Sequence, residues 1–256
     1  MPFHDGNQIT DNPNAYSETL VQLNDYSNCT DCVNSDCFIK KCSPKWLSII
    51  EKNKNQSLYK KSQQIFFEGS PVFGAYFICC GKVKVVSRGC AGQEKIVRLA
   101  KSGHILGHVG SINETYPIGT VALEDSLICF IDNNTLHNAF IENAEFMYSA
   151  MMFYSQELRK IENRIKLFSH MTIEEKVTYA LYYIIEIFGY NEIENSLNIT
   201  LSRQEIANIV GTNAEQVSRT ISLLKQNKII RTSGRKIFID NYEGIKNILS
   251  KYTYLN

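Results

Sequence analysis

Seven apolar side chains, Met147, Met151, Tyr154, Leu158, Ile161, Ile165 and Phe168, recur at intervals of 4, 3, 4, 3, 4 and 3 residues. At 3.6 residues per turn this repeat forms one narrow stripe along a helix of about six turns. A stripe of this kind can face the chain's own body. Here, however, Phe146 and Phe153 already give the helix a second apolar side for that contact. The separate a/d seam therefore predicts a homodimer built on this helix. None of the seven seam positions is acidic, so such a dimer could persist without a bound metal.

The segments on either side of the helix have different periods. From about 56 to 135 the chain is rich in short runs of Val, Ile and Phe, such as YFICCGKVKVVSR and GTVALEDSLICFID, with nine glycines between 69 and 119. Many short strands at regular turn spacing predict a small barrel or roll. A short helix is expected at 46–54. After the seam, Thr172–Glu175, Ser202–Glu205 and Thr212–Glu215 each have the S/T-x-x-E form of a capping box. The first opens a helix over about 172–188. The other two open short helices separated by Gly211 and Thr212, which is a helix-turn-helix pattern. KIIRTSGRKIFID then reads as a hairpin turning at Ser233–Gly234, completing a winged helix.

The charge distribution agrees. The net charge is only +1, but residues 200–256 hold 9 Lys+Arg against 4 Asp+Glu, a net of +5. Residues 1–199 hold 18 against 22, a net of −4. A basic C-terminal quarter on an acidic body suits a polyanion such as double-stranded DNA. In the second helix of the pair, Val217, Ile221 and Leu224 form the buried face. Glu215, Ser218, Arg219 and Ser222 share another face. Arginine matches the two acceptors of guanine and glutamate accepts from the cytosine amino group. Glu215, Ser218 and Arg219 are therefore the expected base contacts. Lys225, Lys228, Arg231, Arg235 and Lys236 are the expected phosphate contacts.

Eight cysteines are present, and Cys29, Cys32, Cys37 and Cys42 fall within fourteen residues. Hydrophobic residues make up 44% of the 256, enough for a buried core. There is no apolar run of about 18 residues for a membrane span. The start, MPFHDGNQIT, has no basic-then-apolar leader. The expectation is a cytoplasmic protein with no membrane partner, in which clustered cysteines indicate a metal or redox centre in preference to disulfides. Four thiolates suit zinc or an iron–sulfur cluster, and spacing alone leaves both open. Cys79, Cys80 and Cys90 lie in or beside strands and read as structural. No phosphate loop or acid–base pair is visible. His104 and His108 lie in a Gly-rich loop without an H-E-x-x-H pattern, so the chain does not read as an enzyme.

A β-roll, a long dimer helix and a C-terminal winged helix, in that order, resemble the CRP/FNR family of bacterial transcription regulators over about residues 29–250. The closest local match is Glu215-Gln-Val-Ser218-Arg219, similar to the E-x-x-S-R signature of the FNR branch. The resemblance implies an α+β chain with a cyclic-nucleotide-binding-like roll. It divides the chain into a flexible arm (1–28), a Cys-rich segment (29–45), the roll (46–138), the dimerisation helix (139–170) and the winged helix (171–256). It further implies TTGAT half-sites, RNA polymerase as a partner, and a 4Fe–4S cluster that senses oxygen or a related oxidant such as nitric oxide, with zinc as the alternative. A second reading keeps the fold but has another small ligand as signal, with zinc or free thiols at the N-terminus.

Two departures matter. Gly107-His108 and Tyr116-Pro117-Ile118 stand where cyclic-AMP-binding members carry Gly-Glu and Arg-Ser/Thr-Ala, so cyclic AMP is not expected to bind. The cysteine spacing is C-x2-C-x4-C-x4-C, whereas the family usually shows C-x2-C-x5-C. The third ligand stays open between Cys37 and Cys42. Cys129 stands at the family's distant cluster cysteine, although a cysteine in an apolar strand is ordinarily a core residue. The preferred set is Cys29, Cys32, Cys37 and Cys129, with Cys42 as the alternative ligand. The reason is mechanical: a centre tied to Cys129 can bias the strand that leads to the seam helix, whereas one held only by a mobile arm cannot.

Overall fold

The computed structural model describes residues 28–32, 34–89, 92–107 and 114–252. Residues 1–27 of the expected arm, Cys90 and His108 lie outside the described residues. A 3-10 turn at Phe38–Lys41 and helix α1 (Pro44–Asn53) precede eight strands: β1 (Asn55–Tyr59), β2 (Gln64–Phe66), β3 (Gly74–Cys80), β4 (Lys82–Arg88), β5 (Glu94–Lys101), β6 (Ile105–Leu106), β7 (Gly119–Ala122) and β8 (Ser126–Asp132). They form two four-stranded sheets, ordered β1-β8-β3-β6 and β2-β7-β4-β5. This is the roll expected from the sequence. Gly81 turns β3 into β4 at φ +114°, and a Cβ there would stand 2.2 Å from Ser126 Oγ.

Strand alternation assigns the two faces of the first sheet. Ile78 and Ile128 point between the sheets and pack with Phe66, Val83, Leu106 and Tyr116. Ala75, Phe77, Leu127, Cys129 and Ile131 point the other way, under the Cys-rich segment, α1 and the next two helices. Those helices are α2 (Asn133–Glu142), capped by Asp132, whose carboxylate accepts from Thr135 N at 2.9 Å, and α3 (Ala144–His170).

Helix α3 has the two apolar sides predicted. Phe146, Ala150 and Leu167 are buried and Phe153 packs against the same core as Phe146. Met147, Met151, Leu158, Ile161 and Ile165 on the seam are 38% to 67% exposed. Tyr154 and Phe168, at two other seam positions, are half-buried; the Phe168 ring meets Tyr179 edge-on at 5.4 Å.

Helices α4 (Ile173–Phe188), α5 (Arg203–Val210), α6 (Ala214–Gln226) and α7 (Tyr242–Leu249) build the C-terminal domain. Strands β9 (Tyr190–Asn191), β10 (Ser196–Leu197), β11 (Ile230–Ser233) and β12 (Lys236–Ile239) complete it, in sheet order β11-β12-β10-β9. Thr172 and Ser202 make the expected capping boxes with Glu175 and Glu205. The third box is corrected: Asn213, one residue later than Thr212, caps α6 by accepting from Gln216 N at 2.9 Å. The domain's core extends onto the roll through Val86, Ile96, Leu99 and Leu123. Polar contacts close the same junction. Lys84 on β4 bridges Glu94 on β5 and Glu205 on α5 at 2.9 and 3.2 Å, and Leu99 N donates to Tyr183 Oη at 3.0 Å.

Candidate functional site

The helix-turn-helix is set by three local features. Ser202 caps α5, Gly211 ends it in the left-handed region at φ +74°, and Asn213 starts α6 two residues later. With no Cβ, glycine adopts that conformation without strain. Val217, Ile221 and Leu224 are buried as predicted, which turns the opposite face of α6 outward. On that face the Arg219 guanidinium bonds the Glu215 carboxylate at 2.5 Å, and both side chains are about two-thirds exposed. An exposed i, i+4 pair contributes little to stability. It does hold the arginine fork in one orientation with N–H groups left over for an external acceptor. Ser218 lies beside them, its hydroxyl donating to the Ala214 carbonyl at 2.8 Å. The three expected base-reading residues thus share one exposed patch near the N-terminal end of α6.

The expected phosphate contacts divide into two groups. Lys225, Lys228 and Arg235 are exposed, at the end of α6, in the turn after it and at the tip of the wing. Arg231 and Lys236 lie on the wing strands but already have acidic partners. Arg231 bonds Asp240 at 3.0 Å and stacks 4.1 Å from the centre of the Phe238 ring. Lys236 bonds Glu194 at 2.7 Å. Glu194 belongs to the β9–β10 turn, an element too short to leave a periodic signal in the sequence.

A second site lies on the outer face of the β1-β8-β3-β6 sheet. Asn34 Nδ2 donates to the Ile78 carbonyl at 3.2 Å and Lys40 Nζ to the Cys32 carbonyl at 2.7 Å, folding the Cys-rich segment onto β3 and β8. Cys29 N donates to Glu51 at 2.6 Å, and Lys54 Nζ reaches Cys29 Sγ at 3.3 Å. Gln56 Nε2 reaches Cys129 Sγ at 3.4 Å, and the Sγ atoms of Cys32 and Cys79 are 3.4 Å apart. Cys37 interacts electrostatically with Cys32, Cys129 and Cys29, whereas the thiols around Cys42 are Cys29 and Cys37.

Burial pushes the Cys37 thiol up to about 11 and Cys42 up to about 12. Interaction with Cys79 draws Cys32 down to about 6 and Cys129 to about 7, while the same two neighbours and burial push Cys79 up. Burial works against the charge of Lys54, but the Cys129 and Cys29 thiols outweigh it and raise its pKa overall. Among the described residues, no three His, Cys, Asp or Glu side chains stand in ligating geometry. The donor chemistry nevertheless fits a thiolate-held metal or cluster. The sulfurs are soft ligands withdrawn from water, and Lys54 and Lys40 offset the negative charge they would carry.

Sequence reasoning missed Cys79 in this group, and it missed Phe38. The Phe38 ring packs 5.0 Å from Phe146 and 6.4 Å from Phe153, directly on α3. Ser43 N donates to Asn143 Oδ1 at 3.0 Å, which stitches the same segment to the α2–α3 junction. A lone aromatic residue in a cysteine-rich stretch has no period to mark it.

The fold and its exposed reading helix define a winged-helix DNA-binding regulator built on a ligand-sensing type of roll. Residues 56–143 match the cyclic nucleotide-binding domain family, and residues 175–248 match the Crp-like helix-turn-helix domain family. In the order of these two domains the chain is similar to the CRP/FNR family of transcription regulators. The transcriptional activator protein anr of Pseudomonas aeruginosa is 25% identical, over 87% of this chain and 93% of that relative. The fumarate and nitrate reduction regulatory protein of Yersinia pestis is 26% identical, over 77% of this chain and 78% of that relative. The structure of FixK2 from Bradyrhizobium japonicum superposes with a TM-score of 0.66 at 21% identity, covering 76% of this chain and 96% of that one.

Proposed function

We propose that this regulator is a cytoplasmic homodimer whose binding to FNR-like palindromes is controlled by an oxygen- or redox-sensitive 4Fe–4S cluster. The observation that carries this reading is the gathering of Cys29, Cys32 and Cys37 around Cys129, on a segment packed against the first turns of the seam helix. Cys29, Cys32, Cys37 and Cys129 are the proposed ligands. Cys42, buried toward α1, stays the alternative. When bound, such a cluster supplies an oxidant-labile centre. The chain's own residues link that centre to the dimer. Cys129 lies in β8, Asp132 ends β8 and caps α2, and α2 leads through Asn143 into α3. Phe38 leans on Phe146 from the other side. Holding or releasing the thiols changes how this segment loads α3, which is the differential contact that allostery requires. The names of the relatives, an anaerobic regulatory protein of Pasteurella multocida among them, support the same signal. No described helix is long and apolar enough to cross a membrane, in keeping with a cytoplasmic location.

The test is a DNA-binding titration with protein purified without air. It should bind a TTGAT…ATCAA duplex tightly, lose at least ten-fold in affinity after exposure to air, and show no such loss when Cys29 and Cys32 are both serine. Equal affinity before and after air would refute the control mechanism.

Cyclic AMP is not the proposed signal. Tyr116, at the place of the family's phosphate-binding triplet, is built into the roll. Its hydroxyl donates to the Gly74 carbonyl at 2.5 Å and its ring lies 4.3 Å from Phe66. It also crowds Gly107, where a Cβ would be 2.7 Å from the Tyr116 ring. Calorimetric titration with cyclic AMP should give no saturable heat. Tight binding that also raised DNA affinity would overturn this reading.

A further inference from the structure

We propose that Cys32 and Cys79 form a reversible disulfide in the metal-free chain, giving the thiol cluster a second, covalent redox state. Their Sγ atoms stand 3.4 Å apart, in contact. A disulfide brings two sulfurs to about 2.05 Å, so only a little over an ångström of closure remains.

Cys79 continues the face of β3 that carries Ala75 and Phe77, and an irregularity beside it brings Cys80 to the same side. The register pairs Ile78 with Ile128 and Cys80 with Leu127, so Cys79 is the extra residue of a β-bulge. Bulges re-aim side chains that strict alternation would send elsewhere, and here the re-aimed residue is Cys80. Here Cys79 and Cys80, although adjacent in sequence, both meet the core beneath the Cys-rich segment. Cys79 is 3% exposed on a paired strand and therefore fixed. Cys32 is half-buried on irregular backbone, reachable by a small oxidant and able to supply the closing movement.

The competing partner is Cys129, whose thiol also interacts with that of Cys79. Cys129 stands opposite Phe77, which makes Cys79 its diagonal neighbour across the strand pair. Both residues sit on paired strands, so neither is free to make the closing movement that a disulfide requires. Cys29 and Cys37 are the other nearby thiols of the segment, but Lys54 holds Cys29, and the thiols that interact with Cys79 are Cys32 and Cys129. Cys32 is the one nearby partner that is both in contact and movable.

The oxidant is a hydroperoxide, hydrogen peroxide being the simplest. The Cys32 sulfur attacks one peroxide oxygen. An S–O bond forms, the O–O bond breaks, and the departing hydroxide takes the Cys32 proton to become water. The Cys79 sulfur then displaces the remaining hydroxide. The S–S bond forms, the S–O bond breaks, and the Cys79 proton leaves in a second water. Two thiols lose two electrons and one peroxide gains them. Because Cys32 is also a proposed ligand, the cross-link would block metal loading until it is reduced. That consequence, unlike the disulfide itself, rests on the function proposed above.

Peptide mapping of the full-length chain tests this. The protein is stripped with a chelator under reducing conditions, desalted without air, treated with one equivalent of hydrogen peroxide, alkylated and digested. The expected result is one intramolecular cross-link joining Cys32 to Cys79, a loss of two of the chain's eight thiols, and full recovery with dithiothreitol. Cys79→Ser should give no cross-link and leave Cys32 as a sulfenic acid that dimedone traps. Cys80→Ser, altered at the adjacent cysteine, should still cross-link. Mapping of the unaltered chain decides the matter even if a variant fails to fold. A link from Cys79 to Cys129, from Cys32 to Cys29, to Cys90 or between chains would overturn the proposal, as would no link. Iron and sulfide content of protein kept without air tests the cluster separately, so either idea can fail alone.

Discussion

Replacing Arg219 with alanine is expected to weaken binding to a TTGAT…ATCAA palindrome by ~1–3 kcal/mol per half-site, or roughly 5- to 150-fold each. Two half-sites are engaged at once, so the loss is incurred twice in the complete palindrome. The side chain is about two-thirds exposed and its partner within the chain is Glu215, so thermal stability should stay close to that of the unaltered protein. The preference for G·C at the contacted position should flatten, because the bidentate match to guanine is gone. Lys228→Ala provides the contrast. Its residue lies in the turn after α6, and its loss should weaken binding to all sequences alike and reduce the salt slope by about one. Titrations at fixed salt on the consensus and on single-base variants separate the two patterns. An Arg219→Ala protein that still discriminates the G·C pair would mean that another residue reads it.

Ile165→Glu should dissociate the dimer. Ile165 is 67% exposed in the single chain, so the substitution costs the fold little. In a symmetric seam, the change places two carboxylates together in a contact that otherwise excludes water. Burying an unpaired charge costs several kcal/mol. At about 1.4 kcal/mol per factor of ten, dimer affinity should fall on the order of 100- to 1,000-fold or more. Sedimentation equilibrium at micromolar concentration should then show monomers with an unchanged circular dichroism spectrum. Binding to the full palindrome should drop much more than binding to one half-site. An intact dimer would place the two-fold axis on another surface.

The parts of this protein that are legible in its sequence are those under periodic constraint. The exposed apolar stripe proposed as the dimer seam is readable because its residues recur alternately every three and four positions along α3. The two faces of α3 are readable because Phe146 and Phe153 fall off that register. The reading face of α6 is readable because Val217, Ile221 and Leu224 fix the buried side. The cap of α6 shifts by one residue because Thr212 and Asn213 are both competent, and asparagine is the stronger N-cap. Cys79 could not be found by pattern. In a strand it reads as a core cysteine, and only the docking of the Cys-rich segment on that face brings Cys32 to it. The bridge from Lys84 to Glu205 is equally invisible, since it joins residues 121 positions apart whose meeting depends on how the winged helix docks on the roll. Long-range pairings of single residues leave no local trace.

An oxygen-labile cluster held by the gathered thiols is tested by chemical analysis of protein purified without air. The protein should be brown, carry about four iron and four sulfide per chain, and bleach in air. Cys29→Ser, Cys32→Ser and Cys129→Ser should each arrive colourless, whereas Cys42→Ser should keep the colour. Colour lost in Cys42→Ser but kept in Cys129→Ser would select the other ligand set. Colourless, unaltered protein carrying one zinc per chain and no sulfide would contradict the account.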